Sequence, residues 1–531
     1  MRRHPLHAPL TLAVLIAAAS LVGVVASKAL PSSSSPAQAR GGGHHHFAVA
    51  AHGYPDSARA AQKTADVNPT AYSEPKVVRS RNGVLHVTFR PHEGSAIING
   101  RRWGGTRTFT GTFPGPTLKV NPGDTIDMKF VNLLPQVTNL HFHGFRVSPS
   151  GLADNVLRTI APAVTTKNVK PRKSVRIVVH IPADHEQGLY WYHPHLHGLV
   201  DGQVYPGLAG MIVVGDVLRN FAQLDHIKRR TMALQAVGFG DDGNLIGVNS
   251  VDLKQITNLV NGHYQPTLTI RPGETQLWQV ANISNDHFYK LFLDGQKMRV
   301  IGEDGNPVGR QWSSERLLVP PGKRFEFLVV GPKAGNYELE SLAFNQGHDN
   351  FGEFTLAKVV SAGNPMKPLR VPQVISSSQA KLIRDVRNDK IARRRTLTFS
   401  IENPFPKDVQ AFKINDRLYD PHYVNEKVHL GQTEEWLLRN TSPEDHPFHI
   451  HTNDFLVERI NGHRVAIHGF QDIVSIPRQQ NGRVGTVLIR QRYRKFQGEA
   501  VFHCHILFHE DNAMMGNILF GPRVFNPSLG Q

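Results

Sequence analysis

The sequence predicts an all-β fold of three consecutive β-sandwich domains. Three observations carry that expectation: a repeated strand–turn–strand segment, the domain-sized spacing of its copies, and a composition rich in turn formers. The chain has 531 residues, room for about three domains at roughly 150 residues each. Its 35 Pro and 46 Gly favour many turns and short strands over long helices. Apolar residues at 40% and charged residues at 19% supply a core and exclude bulk disorder.

The repeat is legible in three places. The first copy runs from Pro116 through Gly123 and Thr125 to Asn132. The second runs from Pro266 through Gly273 and Thr275 to Asn282, and the third from Val428 through Gly431 and Thr433 to Asn440. In each, Thr follows Gly by two residues and Asn follows Thr by seven; the copies lie 150 and 158 residues apart. Each reads as a strand, a glycine turn and a second strand, with β-branched and aromatic residues between. Further strand-like runs lie at 172–179, 319–330 and 484–488. The expected domains are 73–217, 218–375 and 376–531, a layout that suits sandwiches rather than helical bundles.

Ahead of them, Arg2 and Arg3 precede an uncharged, mostly apolar run over 9–27, followed by Ala37-Gln38-Ala39. A positive start, an apolar centre and an Ala-x-Ala site over 1–39 make an export signal. The alternative is an uncleaved membrane anchor, because the run is just long enough to span. Either way the expected location is exported, periplasmic or extracellular. The arginine pair points weakly to the twin-arginine route over the general one. Residues 40–72 read as a low-complexity linker, and His44, His45 and His46 within it are assigned no role. The net charge of +17 suits anionic surfaces or substrates. No nucleic-acid partner is expected.

The chain has one cysteine, which excludes an intrachain disulfide framework and any zinc site built from several thiolates. An exposed thiol in an oxidising compartment pairs or oxidises. Cys504 is therefore either buried and inert or held by a ligand, and its neighbours favour the second.

Nine residues past the repeat's Asn, the first copy reaches His141-Phe142-His143 and the third reaches His449-Ile450-His451. The second reaches Leu291-Phe292-Leu293. Alternating residues of a strand share a face, so each His-x-His presents two imidazoles together. A second alignment agrees. Gly188 and Gly498 are each followed five residues later by a histidine, in His193-Pro194-His195 and His503-Cys504-His505. Gly335 leads instead to Glu340. The two outer domains carry ligand pairs at equivalent strands; the middle one carries none and reads as a copper-free spacer.

Eight imidazoles without carboxylates suit copper, zinc or iron, and are too many for one ion. They fit a cluster of three. A separate set surrounds the thiol: Cys504, His446, His509 and Met514. Two histidines, a thiolate and a distant thioether form a blue-copper ligand set. Successive strand residues point to opposite faces, so Cys504 faces one site while His503 and His505 face the other. That arrangement makes chemical sense for joining one-electron oxidation to multi-electron reduction of dioxygen.

Four segments carry a resemblance: His141 to Gly144, Trp191 to Gly198, His446 to His451, and His503 to Met515. In order and spacing they resemble the motifs of the multicopper oxidases, most closely the three-domain bacterial laccase-like enzymes, over roughly residues 75–525. The resemblance implies three cupredoxin-like Greek-key domains and four coppers per chain, with a trinuclear site between the first and third domains. It implies that His446, Cys504 and His509 bind the type 1 copper, with Met514 axial. His141 and His449 would bind the type 2 copper. One type 3 copper would take His143, His193 and His505, the other His195, His451 and His503. Asp154 and Glu510 match family acids that relay the protons dioxygen reduction consumes. His197 is extra to the pattern and reads as structural. Phe508 departs from the polar or acidic residue of many relatives.

The expected activity is a laccase-like oxidase that takes single electrons from phenols or other aromatic donors and reduces dioxygen to water. Metal donors, Cu(I), Fe(II) or Mn(II), are the alternative. Only 8 methionines occur, without a Met-rich run, and soft thioethers are what select Cu(I); organic donors are therefore preferred. A non-enzymatic envelope scaffold of the same fold loses ligands, whereas every ligand position here is filled. Copper nitrite reductases have a simpler second site than eight histidines imply.

Overall fold

The computed structural model describes residues 71–163, 174–402 and 410–522. The expected export signal, the linker up to residue 70 and the His44–His46 run lie outside the described residues. Strands dominate. Among the described residues the longest helix is Ser377–Asn388, started by Ser376, whose hydroxyl accepts from the Gln379 amide. No helix among them is long and apolar enough to cross a membrane.

The strands group into sheet pairs along the chain. Over 77–214 a five-stranded sheet runs in the order Val77–Arg79, Thr117–Val120, Gly210–Val214, Gly188–His193, His141–His143. A three-stranded sheet, Val84–Phe89, Thr125–Phe130 and Val175–His180, faces it. Residues 228–361 form a six- and a five-stranded sheet, and residues 391–521 do the same. Each pair encloses one core drawn from both of its sheets: Phe130 with Phe142, Trp278 with Leu291, and Trp436 with Phe448. Inward and outward residues alternate along a strand such as Gly485–Arg492, the pattern of a sheet buried on one face.

The sequence repeat has a structural meaning. In each copy the turn carries the chain from one sheet of a sandwich to the other: Thr117–Val120 to Thr125–Phe130, Thr267–Ile270 to Thr275–Asn282, and Val424–His429 to Thr433–Asn440. The turn glycines Gly123, Gly273 and Gly431 have φ of +91°, +77° and +83°, a left-handed conformation that a Cβ would strain.

The repeat's asparagines are buried and make the same three bonds. Asn132 Nδ2 donates to the carbonyls of Gln136 and Ile160, and its Oδ1 accepts from Leu134 N. Asn282 does this with His287, Val319 and Ser284, and Asn440 with Glu444, Ile476 and Ser442. Each asparagine clamps the loop that leads into the strand nine residues on. In the outer copies that strand bears the His-x-His pair.

Candidate metal centre

Strand pairing brings the histidines together. His141 lies opposite His193 across one antiparallel pair, and His449 opposite His503 across another. All eight imidazoles are almost fully buried. His143, His193 and His505 bring one ring nitrogen each within 4.8 Å of one another, as do His195, His451 and His503. His141, His143 and His449 form a third such group. Rings from the first and third segments stack in pairs, His141 on His451 at 3.8 Å and His143 on His449 at 3.9 Å between centroids.

Several rings have an outer nitrogen bonded to an oxygen acceptor that fixes the tautomer. The Nδ1–H of His141 donates to Asp154 Oδ1 at 2.8 Å, that of His193 to the Pro194 carbonyl at 2.7 Å, and that of His449 to the Asp472 carbonyl at 2.8 Å. The Nε2 atoms of these three rings are buried without a hydrogen-bond partner. Other inner nitrogens face only one another: His195 Nε2 lies 3.0 Å from His503 Nε2 and 3.1 Å from His451 Nε2, and His505 Nε2 lies 3.3 Å from His143 Nδ1. Burial, with neighbouring imidazoles, lowers His141, His143, His195, His449, His451 and His505 well below the usual histidine range. Burial brings His193 down to about 3. Neutral rings with convergent, unpaired nitrogens fit a cluster of cations, and outer N–H groups fixed by oxygen acceptors are how metal-binding imidazoles are oriented.

The thiol site stands on the opposite face of the same strand. Cys504 is opposite Phe448 and its Sγ lies 3.5 Å from Nδ1 of both His446 and His509. Burial pushes the thiol up, so a thiolate there needs a cation beside it. His446 Nε2 bonds Ser442 Oγ at 2.7 Å, and that hydroxyl donates to Asn440 Oδ1. The repeat's clamp thus aims the His446 ring as well. His509 stacks on Phe412, with centroids 4.5 Å apart. Met514 sits in the same core cluster as Cys504, whereas Met515 packs elsewhere, with Val156 and Val501. A soft thiolate and two imidazoles are a copper donor set.

Both acids expected from the sequence touch the cluster. Asp154 accepts from His141 and from Phe142 N, and burial pushes its carboxyl well up. Glu510 Oε2 lies 3.0 Å from His503 Nδ1 and its Oε1 3.3 Å from His195 Nδ1. His197 is outside these groups: its Nδ1 bonds the Glu510 carbonyl at 3.0 Å and its ring meets Tyr419 edge-on.

The middle segment departs from the alignment. Leu291 and Leu293 are core residues as expected. Leu291 is opposite Ser341, however, and Glu340 is opposite Phe292. By this register Ser341 rather than Glu340 is the positional equivalent of His193 and His503.

Sequence reasoning missed Asp472 and Arg324. Asp472 Oδ1 lies 3.3 Å from His143 Nε2, and both its oxygens accept from Arg324, at 2.6 and 2.7 Å. Burial raises the Asp472 carboxyl to about 7 while Arg324 pulls it back; the pairing is bidentate. The only signal was indirect: Arg324 and Glu326 stand in an otherwise apolar strand, Arg324–Val330, where a buried charge needs a reason.

Two buried nitrogen-rich sites, each able to hold metal, are thus joined by one strand. Comparison with known proteins gives the class. Three family models described as multicopper oxidase match residues 95–218, 236–358 and 389–523. The multicopper oxidase mco of Staphylococcus haemolyticus is 26% identical over 462 residues, covering 84% of this chain and 91% of that protein. A laccase of Bacillus subtilis is 25% identical and covers 78% of this chain and 89% of its own length. The fold matches a solved Campylobacter jejuni multicopper oxidase, described as a metallo-oxidase, with a TM-score of 0.68 at 22% identity over 86% of this chain and 98% of that one. The chain belongs to the multicopper oxidase family, and on that ground is a copper-dependent oxidoreductase with dioxygen as acceptor.

Proposed function

We propose that this chain couples one-electron oxidation of a small donor beside Cys504 to four-electron reduction of dioxygen to water at the eight-histidine cluster. Four coppers per chain would supply that redox chemistry: one at Cys504 and three among the histidines. The observation that supports this reading is the position of Cys504, whose Sγ faces His446 and His509 while its chain neighbours His503 and His505 belong to the cluster. Asp154 and Glu510 stand beside His141, His195 and His503 as the candidate proton relays. Met514, in the same buried cluster as Cys504, would be the weak axial donor. The N-terminal signal pattern supports an activity outside the cytoplasm. Dioxygen uptake tests the reading: four donor equivalents should be oxidised per dioxygen, with no peroxide released. Accumulating peroxide at half that stoichiometry would overturn it.

The donor has two readings. Aromatic donors follow from the absence of a Met-rich run. One observation favours metal ions. A cavity of about 20 Å³ beside His509 is lined by Asp286, His348, Asp349 and Glu444. Glu444 Oε1 lies 3.7 Å from His509 Nε2. That volume holds roughly one water-sized occupant and no aromatic ring, and carboxylate oxygens suit hard cations better than Cu(I). Fe(II) and Mn(II) are therefore the metal donors to test first. Glu444→Gln should raise KM for Fe(II) about tenfold, the loss of roughly one charge-assisted contact, and leave phenol oxidation unchanged. Phenols outpacing both metals in the wild type would restore the aromatic reading.

A further inference from the structure

We infer that Arg324, supplied by the middle segment, is a positioning residue for the histidine cluster: through Asp472 it holds the rings of His143 and His449 so that their inner nitrogens face the metal. The inference rests on the copper reading of that cluster.

The contacts form a chain without gaps. Arg324 is 0% and Asp472 1% exposed. The guanidinium donates to both carboxylate oxygens of Asp472, from Nη1 to Oδ1 and from Nη2 to Oδ2. It donates also to the Leu189 carbonyl of the first segment and the Gly322 carbonyl of its own. Asp472 then meets two rings from different segments. Its Oδ1 lies 3.3 Å from His143 Nε2, and its main-chain carbonyl accepts from His449 Nδ1 at 2.8 Å. Those rings stack at 14°.

The residues around Arg324 brace Asp472 from behind. Asp304 Oδ2 accepts from the amides of Asp472 and Ile473, and its Oδ1 accepts from Arg324 N. Lys323 Nζ donates to Asp304, to Gln471 Oε1 and to the Ile473 carbonyl. The middle segment therefore grips residues 471–473 of the third segment by main chain and side chain together. Gly144, directly after His143, has φ of +80°, and a Cβ there would collide with the Arg324 guanidinium and the Asp472 carboxylate. The closing glycine of the first motif makes room for this pair.

Stability alone is a poor reason for the pair. A buried ion pair often gains little over apolar side chains of the same volume, because both charges must be stripped of water. What a bidentate guanidinium–carboxylate pair gives is direction, fixed to within the geometry of two parallel bonds. Outer partners of metal-bound imidazoles commonly change metal affinity by about 10–100-fold when removed. The segment without ligands of its own thus sets the angle of ligands on both its neighbours.

The test compares Arg324→Lys, Arg324→Met, Asp472→Asn and the double variant Arg324→Met/Asp472→Asn with the wild type. Copper per chain, the blue absorption, the type 2 electron paramagnetic resonance signal, resistance to a chelator and melting temperature are measured. The expected result is a shifted or lost type 2 signal, with copper removed by chelator at about tenfold lower concentration and the blue absorption intact. The double variant should be no worse than the worse single, because both act at one joint. Arg324→Lys keeps the charge and loses the fork, so it decides the matter should Arg324→Met not fold. A wild-type signal and wild-type copper retention in Arg324→Lys would overturn the inference, as would blue absorption falling in parallel with the type 2 signal. A wild type without copper or blue colour overturns the copper reading itself, and this inference with it.

Discussion

The Sγ of Cys504 stands 3.5 Å from Nδ1 of His446, on the face of the strand turned away from His503 and His505. The single thiol and the cluster are thereby separated by one residue of main chain. Cys504→Ser removes the soft ligand and leaves the eight imidazoles in place. Blue colour and donor oxidation should both vanish while the cluster's copper persists. A blue Cys504→Ser variant would show that the colour arises elsewhere.

Met514 and Met515 are neighbours in sequence with different surroundings. Only Met514 shares the core of Cys504; Met515 packs against Val156 and Val501. Met514→Leu should raise the reduction potential of the blue site, because a weak axial donor stabilises Cu(II) more than Cu(I). Met515→Leu should leave it unchanged. Redox titration of both variants checks this, and a shift in Met515→Leu alone would reverse the assignment.

Asp154 Oδ2 is buried without a hydrogen-bond partner, and the same carboxyl is pushed up by burial. Both features suit a carboxyl that exchanges a proton beside His141. Asp154→Asn and Glu510→Gln should each lower turnover by about 10²-fold, the size of a lost general acid, while anaerobic reduction of the blue site by donor stays fast. Equal slowing of both steps would place the fault in donor binding.

Leu291 and Leu293 occupy the middle repeat where the outer ones carry histidines. Leu291→His/Leu293→His should bind no additional copper, since Ser341 and Leu339 stand opposite in place of further ligands. Two imidazoles in that core should cost about 2–5 kcal/mol. Copper analysis and the melting temperature decide it; an added copper at unchanged stability would reveal a latent site.

The cluster makes the copper-free protein sensitive to acid. Burial lowers His193 and His446 from 6.5 to about 3, and lowers six other cluster imidazoles well below their usual value. In the unfolded chain each takes up a proton near the ordinary value, so between about pH 3 and 6.5 the unfolded state binds more protons. Stability therefore falls as pH falls through that window, by about 1.4 kcal/mol per pH unit for each such histidine. The melting temperature of copper-free protein should drop steeply from about pH 7 to about pH 5. A flat profile would mean the rings are charged when folded.

Much of the site was legible because it is periodic. A strand alternates faces, so His141-Phe142-His143 already places two rings together, and the repeat's spacing placed the matching pair at His449. The pairing of Leu291 with Ser341 was not legible: a register one residue off leaves the residue types around it unchanged. Arg324 and Asp472 were hidden for another reason. They lie 148 residues apart, carry no motif, and gain their meaning only from the packing of the middle segment against its neighbours.

The asparagine clamp is the same in the middle repeat, around Asn282, as in the repeats that carry ligands. Its bonds run from amide to carbonyl, with no imidazole needed. The frame that presents the ligand strands is therefore held by protein contacts, and any metal would meet a cage whose outline the fold has set. Selectivity would then fall to the cage, because an ion that prefers another geometry would have to shift the strands that carry its ligands.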